Sequence, residues 1–282
     1  MSKYLKSLML TALCLFVGVG MAFAEAIVIK GSTTVLPIAQ AILEAYMKAN
    51  PGVDISLSGS GSGEGIKALI DKSTDIANSS REITANEVEL AKSKGVNPIT
   101  TVVAIDGIVP IVNPKNKIKN LSIDQLSQIY QGKITNWKEV GGDDLQIVVV
   151  SRDSSSGTFE TWAEMVLHKA KVTPRAEMQA SNGAIVQVVS ENRYAIGYIG
   201  LGYVNKSIKA LTVNGIQASA KTTIPKEYPI ARDLYMYTNG QPASEVAKFI
   251  KFVLSPAGQK LVAKEGFVPL PVAKEKSKKK SK

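Results

Sequence analysis

Cysteine and histidine are almost missing: the chain has one of each, Cys14 and His168, in 282 residues. Without two cysteines no intrachain disulfide forms, and without a Cys/His cluster neither a zinc site nor a Ser-His-Asp triad has its parts. Long apolar runs are equally scarce. One extends from Leu8 to Phe23 behind Lys3 and Lys6 and closes on Ala22-Phe23-Ala24, the small-x-small pattern of signal peptidase cleavage. No later stretch has the ~20 apolar residues a bilayer span needs. The expectation is a signal peptide at 1–24, cut after Ala24, followed by a secreted body. Thr11-Ala12-Leu13, ahead of Cys14, lacks the small residues of a lipoprotein site, so no lipid anchor is expected. With the only cysteine in the leader, the core must hold without staples, and the 258 residues after Ala24 are ample for two lobes.

Aromatic residues are sparse, at 6%, and none interleaves with the lysines at the C-terminal end, which argues against nucleic-acid binding. The formal charge is +10. Taking away the +2 of the leader and the +5 of residues 273–282 leaves only +3 on the body. Residues 271–282 are too polar and self-repelling to pack, and are expected to form a disordered Lys-rich tail with at most a weak attraction to anionic membrane surface.

From Glu25 onward, short β-branched runs alternate with segments of helical period, the pattern of an α/β fold. Residues 26–29 read as a buried strand. Ile38, Ile42 and Tyr46 recur at i, i+4 in a helix that stops before Asn50-Pro51-Gly52. Val53, Ile55 and Leu57 alternate as a strand, Ile66, Leu69 and Ile70 mark the next helix, and 75–77 a further strand. Val102 to Val112 reads as a long extended stretch broken at Asp106-Gly107, where a hinge is expected. Later come helices carrying Ile123, Leu126 and Ile129, then Phe159, Trp162, Ala163 and Val166, then Ile185, Val188 and Val189, and finally Val246, Phe249, Ile250 and Val253. Strands at 147–150, 195–198 and 233–237 separate them. His168 falls on one of these predicted helices, at the surface.

Three stretches share one grammar, a strand, then small hydroxyl and glycine residues, then a helix. They are Gly31-Ser32-Thr33-Thr34, Ser58-Gly-Ser-Gly-Ser-Gly63 with Ser60 and Ser62, and the run from Arg152 through Asp153, Ser154, Ser156 and Gly157 to Thr158. Each presents free backbone N–H groups and hydroxyls at a positive helix end, where an oxyanion is favoured by hydrogen bonding and by the dipole. Singly, each is an ordinary capped helix or loop; three together, with Arg152 before one turn and Arg81 after Asn78-Ser79-Ser80, point to an anion site. Position 64 is Glu64, so the dinucleotide fingerprint fails; no lysine occupies the Walker position, and neither serine cluster fits G-x-S-x-G. No carboxylate pair is placed for acid–base work.

These residues carry a resemblance. GSTTVLP (31–37), SGSGSGEGI (58–66), DIANSSR (75–81), DGIVPIVNP (106–114), IYQGKITNWKEVGG (129–142), VVSRDSSSGTFE (149–160), SNGAIV (181–186), IGYIGLGY (196–203) and GFVPL (266–270) resemble, in order, the periplasmic phosphate-binding proteins of phosphate ABC importers, the PstS type. The resemblance implies a two-lobed Venus-flytrap protein, each lobe a mixed sheet flanked by helices, joined by two crossover strands. Lobe 1 would be 25–106 plus 230–270 and lobe 2 107–229. It implies a periplasmic, monomeric, non-enzymatic carrier without cofactor, which binds inorganic phosphate and passes it to membrane permease subunits with their ATPase. Thr33, Thr34, Ser62, Arg152, Ser156, Gly157 and Thr158 match the family's ligands. The ITNW and GFVPL stretches are expected to be packing and turn signatures. Many members carry aspartate where this chain has Ser80, and another where it has Ser154. A carboxylate takes phosphate's proton and repels sulfate; here Arg81 is expected to join the site and Asp153, or another nearby acid, to supply the acceptor. Other readings are a binder of sulfate, molybdate or arsenate, a secreted phosphoesterase, and an adhesin or sensor that feeds no importer.

Overall fold

A computed structural model describes residues 26–271. The expected signal peptide at 1–24 and residues 272–282 of the expected tail lie outside it. The chain begins with β1 (Ile27–Gly31), α1 (Leu36–Ala49), β2 (Ile55–Gly59), α2 (Ser62–Ile70), β3 (Ile76–Ser79), α3 (Ala85–Ser93) and the 15-residue strand β4 (Pro98–Val112). It continues with β5 (Asn120–Leu121), α4 (Ile123–Tyr130), β6 (Val148–Arg152), α5 (Gly157–Met165), β7 (Glu177–Gln179), α6 (Asn182–Glu191), β8 (Ala195–Gly200), β9 (Lys209–Ala210), β10 (Thr212–Val213) and α7 (Ala220–Thr223). It returns through β11 (Ala231–Asn239), α8 (Ser244–Leu254) and α9 (Pro256–Lys264).

Nine of the described strands form one curled mixed sheet in the order β2-β1-β3-β11-β4-β8-β6-β7, with β9 also paired to β4, while β5 and β10 pair separately. β4 belongs to both halves. Its first part pairs antiparallel with β11, and from Ile108 onward it pairs antiparallel with β8. The apolar packing divides at the same point. One cluster of buried side chains draws on Ile108 through Ile230; two others draw on Ile27 through Val103 and Ala104 together with Leu234 through Phe267. Burial of each fully enclosed Ile or Leu contributes about 1.5–3 kcal/mol, and Ile38 and Ile42 of α1 are completely enclosed. Helices on both faces of a mixed sheet give the two-lobed architecture expected.

The expected break at Asp106-Gly107 is not there. β4 stays extended through both residues, because Asp106 lies directly opposite Arg232 in register and its charge is met across the strands. His168 is also misplaced by its helical spacing: α5 ends at Met165, and His168 sits exposed in the following turn with φ of 50°. Val53 precedes β2 rather than opening it.

Two details bring chain ends together for the site. At the end of β1, Gly31 has φ of 133°, and a Cβ there would lie 2.1 Å from the Asn78 carbonyl oxygen, so only glycine lets the turn after β1 approach β3. In the other half, the Trp162 ring of α5 stacks on Tyr198 of β8 at 4.3 Å with 6° between planes. The Tyr198 hydroxyl in turn accepts from Arg152 N–H and lies 2.9 Å from Ser151 Oγ, holding the end of β6. Trp137 and Val268, from the two stretches expected to pack, are buried, and Val268 bridges Ile105 of β4. Trp162→Ala is expected to lower unfolding free energy by about 3–5 kcal/mol, read from urea denaturation.

Candidate functional site

Four helix starts face one small volume. Thr34 lies just ahead of α1, Ser62 opens α2, Gly157 and Thr158 open α5, and Asn182 opens α6. The first N–H groups of each helix have no intrahelical partner, and the aligned peptide dipoles make these ends positive. Ser156 Oγ caps α5 by accepting from Phe159 N–H at 3.2 Å, and Ser181 Oγ caps α6 by accepting from Ala184 N–H. At Gly157 a Cβ would come 2.5 Å from Ser62 Oγ and 2.9 Å from Ser80 Oγ, so the bare backbone permits the two faces to meet.

Hydroxyls from both halves of the molecule form a chain. Ser62 Oγ lies 3.3 Å from Ser80 Oγ, Ser80 Oγ 3.5 Å from Thr158 Oγ1, and Thr158 Oγ1 2.9 Å from Thr34 Oγ1. All four residues are buried. Asn182 donates from Nδ2 to Thr33 Oγ1 and Thr34 Oγ1, and its Oδ1 accepts from Gly200 N–H, which fixes the amide's orientation. Tyr203 donates to the Thr33 carbonyl; burial pushes its phenol to about 12, against the pull of Arg152, so it stays protonated.

Two guanidiniums reach this region. Arg152, 1% exposed, donates from Nε to Gln179 O and from Nη2 to Ala180 O, and its buried Nη1 has no hydrogen-bond partner among the described residues. Arg232 of β11 donates from Nε and Nη2 to Asp106 Oδ2, from Nη1 to the Ser80 carbonyl and from Nη2 to Thr158 Oγ1 at 3.0 Å. Asp106 Oδ1 accepts from Leu201 N–H. Burial works against both charges, pushing Asp106 up and Arg232 down from their ordinary values, and their mutual attraction opposes it. Arg152 is lowered by burial, with Asp153 opposing and Arg232 adding to the shift.

Other expected residues stand differently. Ser32 Oγ accepts from the N–H groups of Thr34 and Val35, shaping the turn. Ser60 and Ser154 are exposed at the rim. Asp153 Oδ1 accepts from the N–H and hydroxyl of Ser155, and its Oδ2 is 4.0 Å from Arg152 Nη2. Arg81 turns away: its two Nη atoms donate to Glu87, and its Nε lies 2.7 Å from Glu160 Oε2, close in distance but misaligned for a hydrogen bond. Burial alone would lower the Arg81 value; the two carboxylates outweigh it. Asp106, Asn182 and Arg232 escaped notice in the sequence as site residues. The signal was present in Asp106, a charge inside the apolar run from Val102 to Val112, and less clearly in Arg232, which stands beside Asp233 at the start of β11.

Removing Arg232 alone leaves Asp106 buried without its partner. Arg232→Leu is expected to cost about 3–5 kcal/mol, and Asp106→Asn with Arg232→Leu to recover most of that, since a neutral pair replaces a buried ionic one. Urea denaturation of both variants checks this.

No helix among the described residues is long and apolar enough to cross a membrane, and no group of three or more His, Cys, Asp or Glu among them is placed to hold a metal ion. A family model described as a PBP superfamily domain matches residues 22–257. The chain is 35% identical over 252 residues to the phosphate-binding protein PstS of Borreliella burgdorferi, covering 85% of this chain and 88% of that one. It is 32% identical to PstS of Bacillus subtilis, covering 86% and 80%. Among solved structures, a substrate-binding protein from Clostridium perfringens with bound phosphate superposes with a TM-score of 0.82 at 36% identity, covering 88% of this chain and all of that one. An ABC-type phosphate transport receptor from Vibrio cholerae gives 0.72 at 33%, covering 87% and 100%. A curled α/β sheet shared by two lobes, helix starts converging on a hydroxyl-lined site, and identities above 30% across most of both chains place this protein in the PBP superfamily, among the PstS-type phosphate-binding proteins.

Proposed function

We propose that this chain is a carrier of inorganic phosphate, which closes its lobes, 25–106 with 230–270 and 107–229, over the anion in the periplasm. It then hands the anion, as a monomer, to the permease of an ABC importer whose ATPase supplies the energy. One observation carries the reading: the buried Nη1 of Arg152, partnerless among the described residues, amid helix N-termini and hydroxyls. An unmet charged donor in a dry site costs several kcal/mol, and an oxyanion removes that cost.

The charge count agrees. Arg152 and Arg232 bring two positive charges, Asp106 offsets one, and Asp153, partly in water and 4.0 Å from Arg152, offsets the other only in part. The ligand set is Thr34, Ser62, Ser80, Arg152, Ser156, Gly157 and Thr158, with Thr33 and Ser32 shaping the first turn. Arg81, Asp153, Ser60 and Ser154 are left out of it, the first two because their charges are already engaged and the last two because they stand exposed. The names of the relatives support delivery to an importer. Carriage rather than catalysis is supported by the engaged carboxylates and by His168, which sits in an exposed turn.

A second reading, binding of another tetrahedral oxyanion such as sulfate, is favoured by one feature: no carboxylate oxygen among the described residues is directed at the hydroxyl chain. Calorimetric titration of protein stripped of anion by unfolding and refolding, with phosphate and then sulfate at equal ionic strength, separates the two. Tight one-to-one phosphate binding is expected, and silence toward phosphate overturns the reading. Arg152→Ala is expected to weaken binding about 30-fold or more, the ~2–5 kcal/mol cost of truncating one partner of a buried charged contact. Arg81→Ala is expected to change it by less than about tenfold, since its ion pair with Glu160 is partly in water.

A further inference from the structure

We infer that Arg232, anchored by Asp106, is a specificity-determining positioning residue: it turns Thr158 into a donor and leaves the Ser80 hydroxyl as the one member of the hydroxyl chain free to accept phosphate's proton. This rests on the phosphate reading above.

Protons and lone pairs along the hydroxyl chain can be counted. Each hydroxyl has one proton to give. Three of the four oxygens already accept from a fixed N–H: Ser62 Oγ from Ser80 N–H at 3.0 Å, Thr158 Oγ1 from Arg232 Nη2 at 3.0 Å, and Thr34 Oγ1 from Asn182 Nδ2 at 3.1 Å. An oxygen that accepts such a bond is a stronger donor through its own O–H and a weaker acceptor for a second proton, most of all when the donor is a cation. Those three hydroxyls therefore donate toward an anion. Ser80 Oγ receives no N–H among the described residues; its neighbours are the hydroxyls of Ser62 and Thr158. It alone is free to accept.

Each charged group around the chain is held elsewhere. Asp106 faces Arg232 and Leu201 N–H; Asp153 faces Ser155; Glu87 and Glu160 face Arg81; and Arg152 donates to Gln179 and Ala180 with Nη1 left over. Tyr203, kept protonated by burial, donates to Thr33. One acceptor admits one proton, so the bound species is the dianion. Because a hydroxyl accepts or donates as required, sulfate is not repelled as it would be by a carboxylate.

The test is isothermal titration with inorganic phosphate and with sulfate, in two buffers of different ionisation enthalpy, one pH unit below phosphate's second pKa. About nine in ten free phosphates are then monoanions, so the wild type is expected to release about 0.9 proton per phosphate bound. Ser80→Ala is expected to weaken phosphate at least about tenfold and to leave sulfate within about threefold, because only phosphate needs the acceptor. Asp106→Asn with Arg232→Leu frees Thr158 to accept, admits the monoanion, and is expected to release less than about half as many protons. Equal loss of both anions in Ser80→Ala, or wild-type proton release by the double variant, overturns the inference while leaving the phosphate reading intact. If the double variant does not fold, Ser80→Ala decides alone. A wild type that binds no phosphate removes both.

Discussion

Asp106 and Arg232 place opposite charges, nearly without water, where β4 passes from one half of the sheet to the other. Taking an isolated carboxylate or guanidinium out of water costs several kcal/mol, so neither is tolerable there without its partner. Because the two residues sit directly opposite in register, a slip of one residue between β4 and β11 would turn both to opposite faces and strand two charges. The same carboxylate accepts from Leu201 N–H at the end of β8, so three chain segments are tied at one group. Register, crossover and the floor of the cleft thus share a single constraint.

From that floor upward, the site is built of backbone and hydroxyls more than of charge. Thr34, Ser62, Thr158 and Asn182 all stand at helix starts, and each start supplies partial positive charge without a long side chain to order. The close packing of the two halves follows from small residues: with Gly157 lacking a Cβ, Ser62 and Ser80 come within hydroxyl distance of α5. Arg152 is the exception, a long side chain held by the carbonyls of Gln179 and Ala180 so that a single N–H direction remains. Two fixed bonds on a planar guanidinium leave it little freedom to lose when a ligand arrives.

The parts governed by local pattern were legible in the sequence. Ile38, Ile42 and Tyr46 announced α1, the alternation before Gly31 announced β1, and the three serine-rich turns fell at helix starts. Features set by distant partners were not. The sequence shows Asp106-Gly107 as a breaker, and nothing nearby reveals that Arg232, 126 positions on, keeps the strand extended. Arg81 reads as a site residue from its neighbours Ser79 and Ser80, yet Glu87 and Glu160 draw it to the rim. α3 buries only Ala91 and so has almost no apolar period, although the capping box of Thr84 and Glu87 would have marked its start. His168 follows helical spacing but lies beyond the point where α5 unwinds into a left-handed turn.

In the lobe closure proposed above, electrostatics comes before sterics. The contacts that join the halves are mostly neutral hydrogen bonds: Thr34 to Thr158, Asn182 to Thr33 and Thr34, Tyr203 to Thr33, and Gly63 N–H to the Ser155 carbonyl. Such bonds contribute about 0.5–1.5 kcal/mol each, and the partly exposed Arg81–Glu160 pair about 0–1 kcal/mol. Against them stands the repulsion between Arg152 and Arg232, which adds to the burial that already depresses Arg152. Asp106 offsets one guanidinium, not both. On that proposal, an anion between them turns the repulsion into two attractions and gives the hydroxyls their acceptor, so its binding energy favours the closed state. Ligand and closure are then linked as differential affinity requires, and the same charge arrangement that makes the site hold its ligand makes an empty closed site unfavourable.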